Sequence, residues 1–99
     1  MAEWVYLINP PRENFAATMT DHERAVWAEH FVYLRALFDD GTLVMAGPTL
    51  GPKNTGIAVF EAPDEDAARR IVEADPIHGS GLAELELRPF KVSLLRGRD

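Results

Sequence analysis

One imidazole and one carboxylate fall where the pattern of the chain calls for a core: His30 and Asp75. His30 lies in a helix-like run from Thr20 to Asp40. At about 100° per residue, with Trp27 at zero, Leu34 falls near −20°, Phe38 near +20°, Phe31 near +40°, Leu37 near −80° and His30 near −60°. The imidazole is therefore expected inside an apolar stripe. Asp75 closes a second run whose inward positions are Ala68, Ile71 and Val72. It stands four residues after Ile71, so it is expected to point to the same side. A carboxylate bonded to one imidazole nitrogen fixes the tautomer and strengthens the other nitrogen as a base. The two residues are thus a candidate acid–base pair. The plainer reading is a buried histidine satisfied by a carboxylate without turnover, since buried polar groups need partners whatever their role. An Asp before Pro76 is also ordinary turn chemistry.

His78 sits between Ile77 and Gly79 in the turn after the second run. It can line a pocket near Asp75, or simply be exposed as loop residues commonly are. Gly47 and Pro48 open a Gly-Pro-Thr-Leu-Gly-Pro-Lys-Asn-Thr-Gly stretch, expected to form a rim of the pocket. His22, about 140° from Trp27, is expected in solvent. No His-x-x-x-His or His-Glu-x-x-His spacing occurs, so no metal is expected. The glycines do not form a phosphate cradle, and Ser80 and Ser93 lack the context of an activated nucleophile. No cofactor is expected. Trp4, Tyr6, Trp27, Phe31 and Tyr33 are assigned to core or interface, with Tyr33 near the helix edge.

The elements that must position these residues follow from turn and periodicity signals. Glu3 to Asn9 reads as a strand, stopped by Pro10-Pro11. The segment to Met19 reads as a loop. Thr20 and Glu23 have the spacing of a capping box, and Gly41 suits the position after the helix end. Thr42 to Ala46 is a second strand ended by Gly47-Pro48, and Gly56 to Glu61 a third. A helix opens at Pro63-Asp64 and ends near Ala74. Pro76 to Gly81 is expected as a turn or short helical fragment. Ala83 to Val92 is the fourth strand, and 96–99 a polar tail. The order βαββαβ is the ferredoxin-like arrangement: an α+β fold with an antiparallel four-stranded sheet and both helices on one face. Three strands read as apolar on both sides: Trp4, Tyr6 and Ile8 against Val5 and Leu7, Leu43 and Met45 against Val44 and Ala46, Ile57 and Val59 against Ala58 and Phe60. A bare apolar sheet face calls for a partner, most simply a second copy in a twofold dimer.

Composition narrows the partners. The 99 residues suit a single domain spanning 1–99, and 46% hydrophobic residues exclude a disordered chain. The net charge of −6, with no basic run longer than Arg69-Arg70, argues against nucleic acid. The chain has no Cys, which excludes disulfides and thiolate chemistry. No stretch approaches the ~20 apolar residues of a membrane span, and Met-Ala-Glu-Trp lacks a basic leader region. A cytoplasmic protein is expected.

An ordered set of motifs resembles the YciI-like (YCII-related) family. It comprises the opening strand, His30-Phe31-Val32-Tyr33-Leu34, Asp40-Gly41-Thr42-Leu43, Ala46-Gly47-Pro48, the glycine-led strand at Gly56, Ala74-Asp75-Pro76, a glycine turn, and Arg88-Pro89-Phe90. The likeness runs from the first strand to Val92. It implies a dimeric α+β barrel with stacked sheets, and a pocket whose His–Asp pair maps onto His30 and Asp75. Relatives of the fold include muconolactone isomerases and cofactor-free monooxygenases, and one branch resembles a dehydrochlorinase of a chlorinated hydroxyquinol. The chain departs in a longer Pro10 to Met19 connection, which implies a reshaped pocket mouth. The leading expectation is a homodimeric, cofactor-free enzyme performing proton transfer on a small organic molecule, with His30 as acid or base and Asp75 orienting it. The competing one is a non-catalytic protein that binds a small ligand in the same pocket. A purely structural interaction module is a third, and it leaves the inward histidine without a role.

Overall fold

The computed structural model describes residues 2–97; of the polar tail expected at 96–99, residues 98–99 lie outside the described residues. The sheet contains β1 (Ala2–Asn9), β2 (Leu43–Pro48), β3 (Gly56–Ala62) and β4 (Glu84–Phe90) in the order β2-β3-β1-β4. Every paired neighbour is antiparallel. The helices are α1 (Phe15–Thr18), α2 (Asp21–Asp39), α3 (Glu65–Ala74) and α4 (Pro76–Ser80). Around two short additions this is the ferredoxin-like βαββαβ order.

Local chemistry explains the helix boundaries. Both halves of the capping box form at the start of α2: the Glu23 amide donates to Thr20 Oγ1, and the Thr20 amide to Glu23 Oε1. At the other end Gly41 adopts φ +87°, its amide reaches Phe38 O, and the Thr42 amide reaches Leu37 O. A side chain would be strained there, and glycine removes the strain. Asp64 caps α3 by accepting from the Ala67 amide. Asp75 ends α3 in extended geometry and, with Pro76 in the first turn, starts α4.

The core lies between the sheet and the helices. Trp4, Tyr6 and Ile8 of β1 join Ala58 and Phe60 of β3, Leu34 of α2, Ala68 and Val72 of α3 and Ile77 of α4. Gly56 is where β3 passes β1 most closely: a Cβ there would meet Ile8 Cβ and Cδ1 at 3.2 Å.

Four local features depart from the sequence-based expectation, each for a physical reason. The buried stripe of α2 centres on Glu23, His30 and Leu34, rotated by about 40° from one centred on Trp27. Phe31 and Phe38, expected inside, are 66% and 53% exposed. They lie on the flank of α2 that overhangs the sheet edge. Second, a bulge in β2 pairs Leu43 with Phe60 but Met45 with Val59. Leu43 and Met45 therefore face opposite sides, not the same one. Third, β2 runs through Gly47 and Pro48 rather than stopping at them. Proline is tolerated because β2 is an edge strand.

The last departure is the segment from Pro10 to Met19, which is not a plain loop. Phe15 is buried and packs against Trp27 with ring centroids 4.5 Å apart and planes tilted by 50°. Arg12 spans the carboxylate of Glu23 with bonds of 2.9 and 2.8 Å, and also bonds Thr18. The Asn14 amide donates to Pro52 O, and the Ala16 amide to Asn54 Oδ1. The segment thereby straps the start of α2 to the β2–β3 loop.

Glu23 gives this strap a pH signature. Arg12 first, then the Thr20 amide, lower its carboxyl from 4.5 to about 2. A depressed carboxyl contributes stability above its ordinary value, and that contribution is lost as pH falls through the folded value. Arg12→Ala should therefore lower Tm at neutral pH, with the gap to wild type closing between about pH 4.5 and 2. Melting curves across that range test it; a gap that is constant with pH would show that Glu23 does not carry the strap.

Candidate functional site

Asp75 lies almost wholly inside the protein, at 1% exposure. It gets there because it is both the C-cap of α3 and the N-cap of α4, so the chain turns on its side chain. Its Oδ1 accepts the Ile77 amide at 3.0 Å, the ordinary reach of a capping aspartate. Its Oδ2 points across the core toward β1 and α2. There it meets His30 Nδ1 at 2.6 Å and Tyr6 Oη, also at 2.6 Å. One carboxylate thus collects donors from a strand, a long helix and a backbone turn.

Burial first, then the negative charge of Asp75, push the Tyr6 phenol well above its usual range, so it remains a donor. Asp75 thus accepts at both oxygens, from the Ile77 amide at Oδ1 and from Tyr6 at Oδ2. In the tautomer with the ring hydrogen on Nδ1, Nδ1–H donates to Oδ2 and Nε2 carries the lone pair. Nε2 makes no hydrogen bond among the described residues, and no buried side-chain N or O there is left unsatisfied, so Nε2 opens to the hollow that His30 lines. Tyr33, one turn along α2 from His30, donates instead to Ile71 O at 2.7 Å. Its phenol is raised by burial and then by Asp75.

The hollow is a groove of about 590 Å³ between α2 and the edge strand β2. Trp27, Phe31, Leu34 and Phe38 form one wall. The bulged strand from Leu43 to Pro48 forms the other, and Ile8, Gly56 and Ile57 also line the groove. Arg35 stands at the groove, bonded to Asp39 at 3.1 Å and over the Phe38 ring. An apolar cleft with one converging polar group is the usual form of a small-molecule site. Among the described residues no three His, Asp or Glu side chains gather as a metal site would need.

The candidates from sequence are distributed as follows. His30 lines the groove, and Asp75 lies behind it rather than in its wall. Gly47 and Pro48 line the same groove, opposite α2. His78 does not join them: it is exposed and lines a separate hollow with Trp4, Glu65 and Arg69. Tyr6 was assigned to the core without a polar role. The signal that could have found it was its place between Trp4 and Ile8 on the inward face of β1, where a tyrosine hydroxyl must find a partner.

Comparison with known proteins agrees with this architecture. The YCII-related domain model matches residues 3–91. Among curated proteins none matches the sequence significantly. A similar solved structure is the 5-chloro-2-hydroxyhydroquinone dehydrochlorinase of Burkholderia phenoliruptrix AC1100 in complex with 2,5-dihydroxybenzoquinone. It is 23% identical, with a TM-score of 0.63 over 88% of this chain and 93% of the other. At that identity the likeness speaks for the fold. No described helix is long and apolar enough to cross a membrane. With the family model spanning nearly the whole chain, the protein belongs to the YCII-related domain family.

Proposed function

We propose that this protein is a cofactor-free enzyme that moves a proton on a small cyclic, hydroxylated or keto substrate held in the groove. The observation that carries the reading is the asymmetry of His30: Nδ1 is tied to Asp75 at 2.6 Å while the ring lines an apolar groove. In this reaction the Nε2 lone pair takes a proton from a C–H or O–H of the substrate. Asp75 stabilises the imidazolium that forms and keeps the ring oriented. The imidazolium returns the proton to a second atom in an isomerisation. In an elimination the electron pair of the broken C–H bond expels a leaving group. The apolar walls keep water from competing for the base and strengthen the Asp75–imidazolium interaction. The choice of a flat cyclic substrate draws on the dihydroxybenzoquinone held by the structurally similar dehydrochlorinase. Arg35 at the groove suits an anionic or enolic oxygen on such a ring.

A screen of small lactones, quinones and hydroxyaromatics, with His30→Ala as control, tests the reading. Asp75→Asn sharpens it. The asparagine cannot hold the same tautomer, so turnover should fall by roughly 100-fold or more. A purely structural pair would instead lose stability, on the order of 1–3 kcal/mol, with turnover on a true substrate unchanged. Altered ligand affinity with no turnover in either protein would make the chain a binding protein and end the enzymatic reading.

The open sheet face enters the same proposal. Val5, Leu7 and Ile57 are only half-buried there, while Met45 and Phe90 are exposed, and Leu94 of the following segment is 95% exposed. A second copy stacking its own sheet against this face would cover them. Light scattering should then give twice the chain mass of 11.0 kDa; a monomer at micromolar concentration would remove the stacked-sheet dimer.

A further inference from the structure

We infer that Tyr6 is a positioning residue that keeps the bridging proton on His30 Nδ1, so that the working unit is Tyr6–Asp75–His30 rather than a pair. The inference rests on His30 serving as the base of the proposed reaction, but its central test needs no substrate.

The argument starts from one oxygen atom. Asp75 Oδ2 is the acceptor for both Tyr6 Oη and His30 Nδ1, each at 2.6 Å. Two donors on one carboxylate oxygen share its charge. Each bond is weaker than it would be alone, and the oxygen is a poorer base. Without Tyr6, the oxygen facing His30 would carry more of the charge and draw the Nδ1 proton toward itself. A proton on Asp75 leaves Nδ1 as acceptor, and the ring stays neutral only by taking up a second proton, from solvent, at Nε2, the nitrogen that opens to the groove. In that form Nε2 has no lone pair to offer a substrate. Tyr6 opposes that transfer by occupying Oδ2.

The tyrosine is built for a fixed role. Its exposure is 0%, and its ring meets Phe60 edge-on at 5.8 Å and 75°. Strand β1 pairs on both sides, Tyr6 with Ala58 and Tyr6 with Leu87, so its backbone has no freedom to withdraw. It does not line the groove. It therefore acts on the imidazole only through Asp75. The other ionisable groups near the unit are engaged elsewhere: Tyr33 with Ile71 O, and Arg35 with Asp39.

The experiment is nitrogen NMR of the His30 ring in wild type and Tyr6→Phe, with the bridging proton observed directly. Wild type should show the Nδ1–H form. Tyr6→Phe should move the bridging proton resonance downfield and raise the Nε2–H population by roughly tenfold or more. With a substrate in hand, kcat should fall by about 10- to 100-fold, the range typical of lost outer partners, while KM holds because Tyr6 does not reach the groove. A folded Tyr6→Phe with unchanged ring nitrogens and an unmoved bridging proton would overturn the inference, even if its Tm fell. Should Tyr6→Phe fail to fold, 3-fluorotyrosine in a Tyr33→Phe background leaves fluorine on Tyr6 alone, the chain having 2 Tyr. The stronger phenol donor should then shift the bridging proton upfield, and no shift would overturn the inference. Absence of turnover on every substrate would count against the proposed enzyme while leaving the NMR result standing.

Discussion

A buried carboxylate must be satisfied, and that requirement organises this protein. Asp75 is 1% exposed and accepts from the Ile77 amide, Tyr6 and His30. The three donors belong to α4, β1 and α2. Removing one leaves charge in a low-dielectric interior, which is strongly unfavourable. The crossing of α2 over the sheet, the break between α3 and α4 and the inward direction of Tyr6 are therefore coupled. The same three bonds fix the imidazole. The packing of three elements and the orientation of the imidazole rest on one residue, and it lies outside the cavity wall.

The groove follows from how α2 sits. Its buried stripe is taken up by Glu23, His30 and Leu34, which leaves Phe31 and Phe38 over the sheet edge. The bulge in β2 turns successive side chains differently from a regular strand, and Gly47 and Pro48 continue the edge with little side-chain bulk. At the far end the strap from Pro10 to Met19 ties α2 to the β2–β3 loop through Arg12, Asn14 and Ala16. An extra connection that a simple ferredoxin-like chain does not need becomes a brace at one end of the cavity. The apolar side chains on the overhanging flank are those the core did not take, and they line the groove beside the imidazole.

Much of this was legible in the residues. The βαββαβ order follows from proline and glycine stops, the Thr20–Glu23 capping box and the alternation of Ala83 to Arg88. His30 and Asp75 were found by periodicity alone, because helical spacing places both inward. The rotation of α2 was not legible. Trp27, Phe31 and Phe38 compete with His30 and Leu34 for the buried side on hydrophobicity, and only docking against α4 and β2 decides between them. The β2 bulge escaped for a related reason: one extra residue reverses the facing of everything beyond it, and alternation in a short two-sided apolar strand carries no register. The Arg12–Glu23 bond hid because Glu23 already had a complete local role as a helix cap.

By itself the sequence determined the elements, their order and the two inward polar residues. These depend on interactions within a few positions along the chain: caps, turn residues and side-chain period. Tertiary structure alone decided that Tyr6 shares Asp75 with His30 and that Gly47 and Pro48 face His30 across a groove. It also decided that His78 lines a different hollow. Tyr6 and Asp75 are 69 positions apart. Contacts at such separations are chosen by packing and by the need to satisfy buried charge, and no local pattern encodes which of several inward side chains will meet.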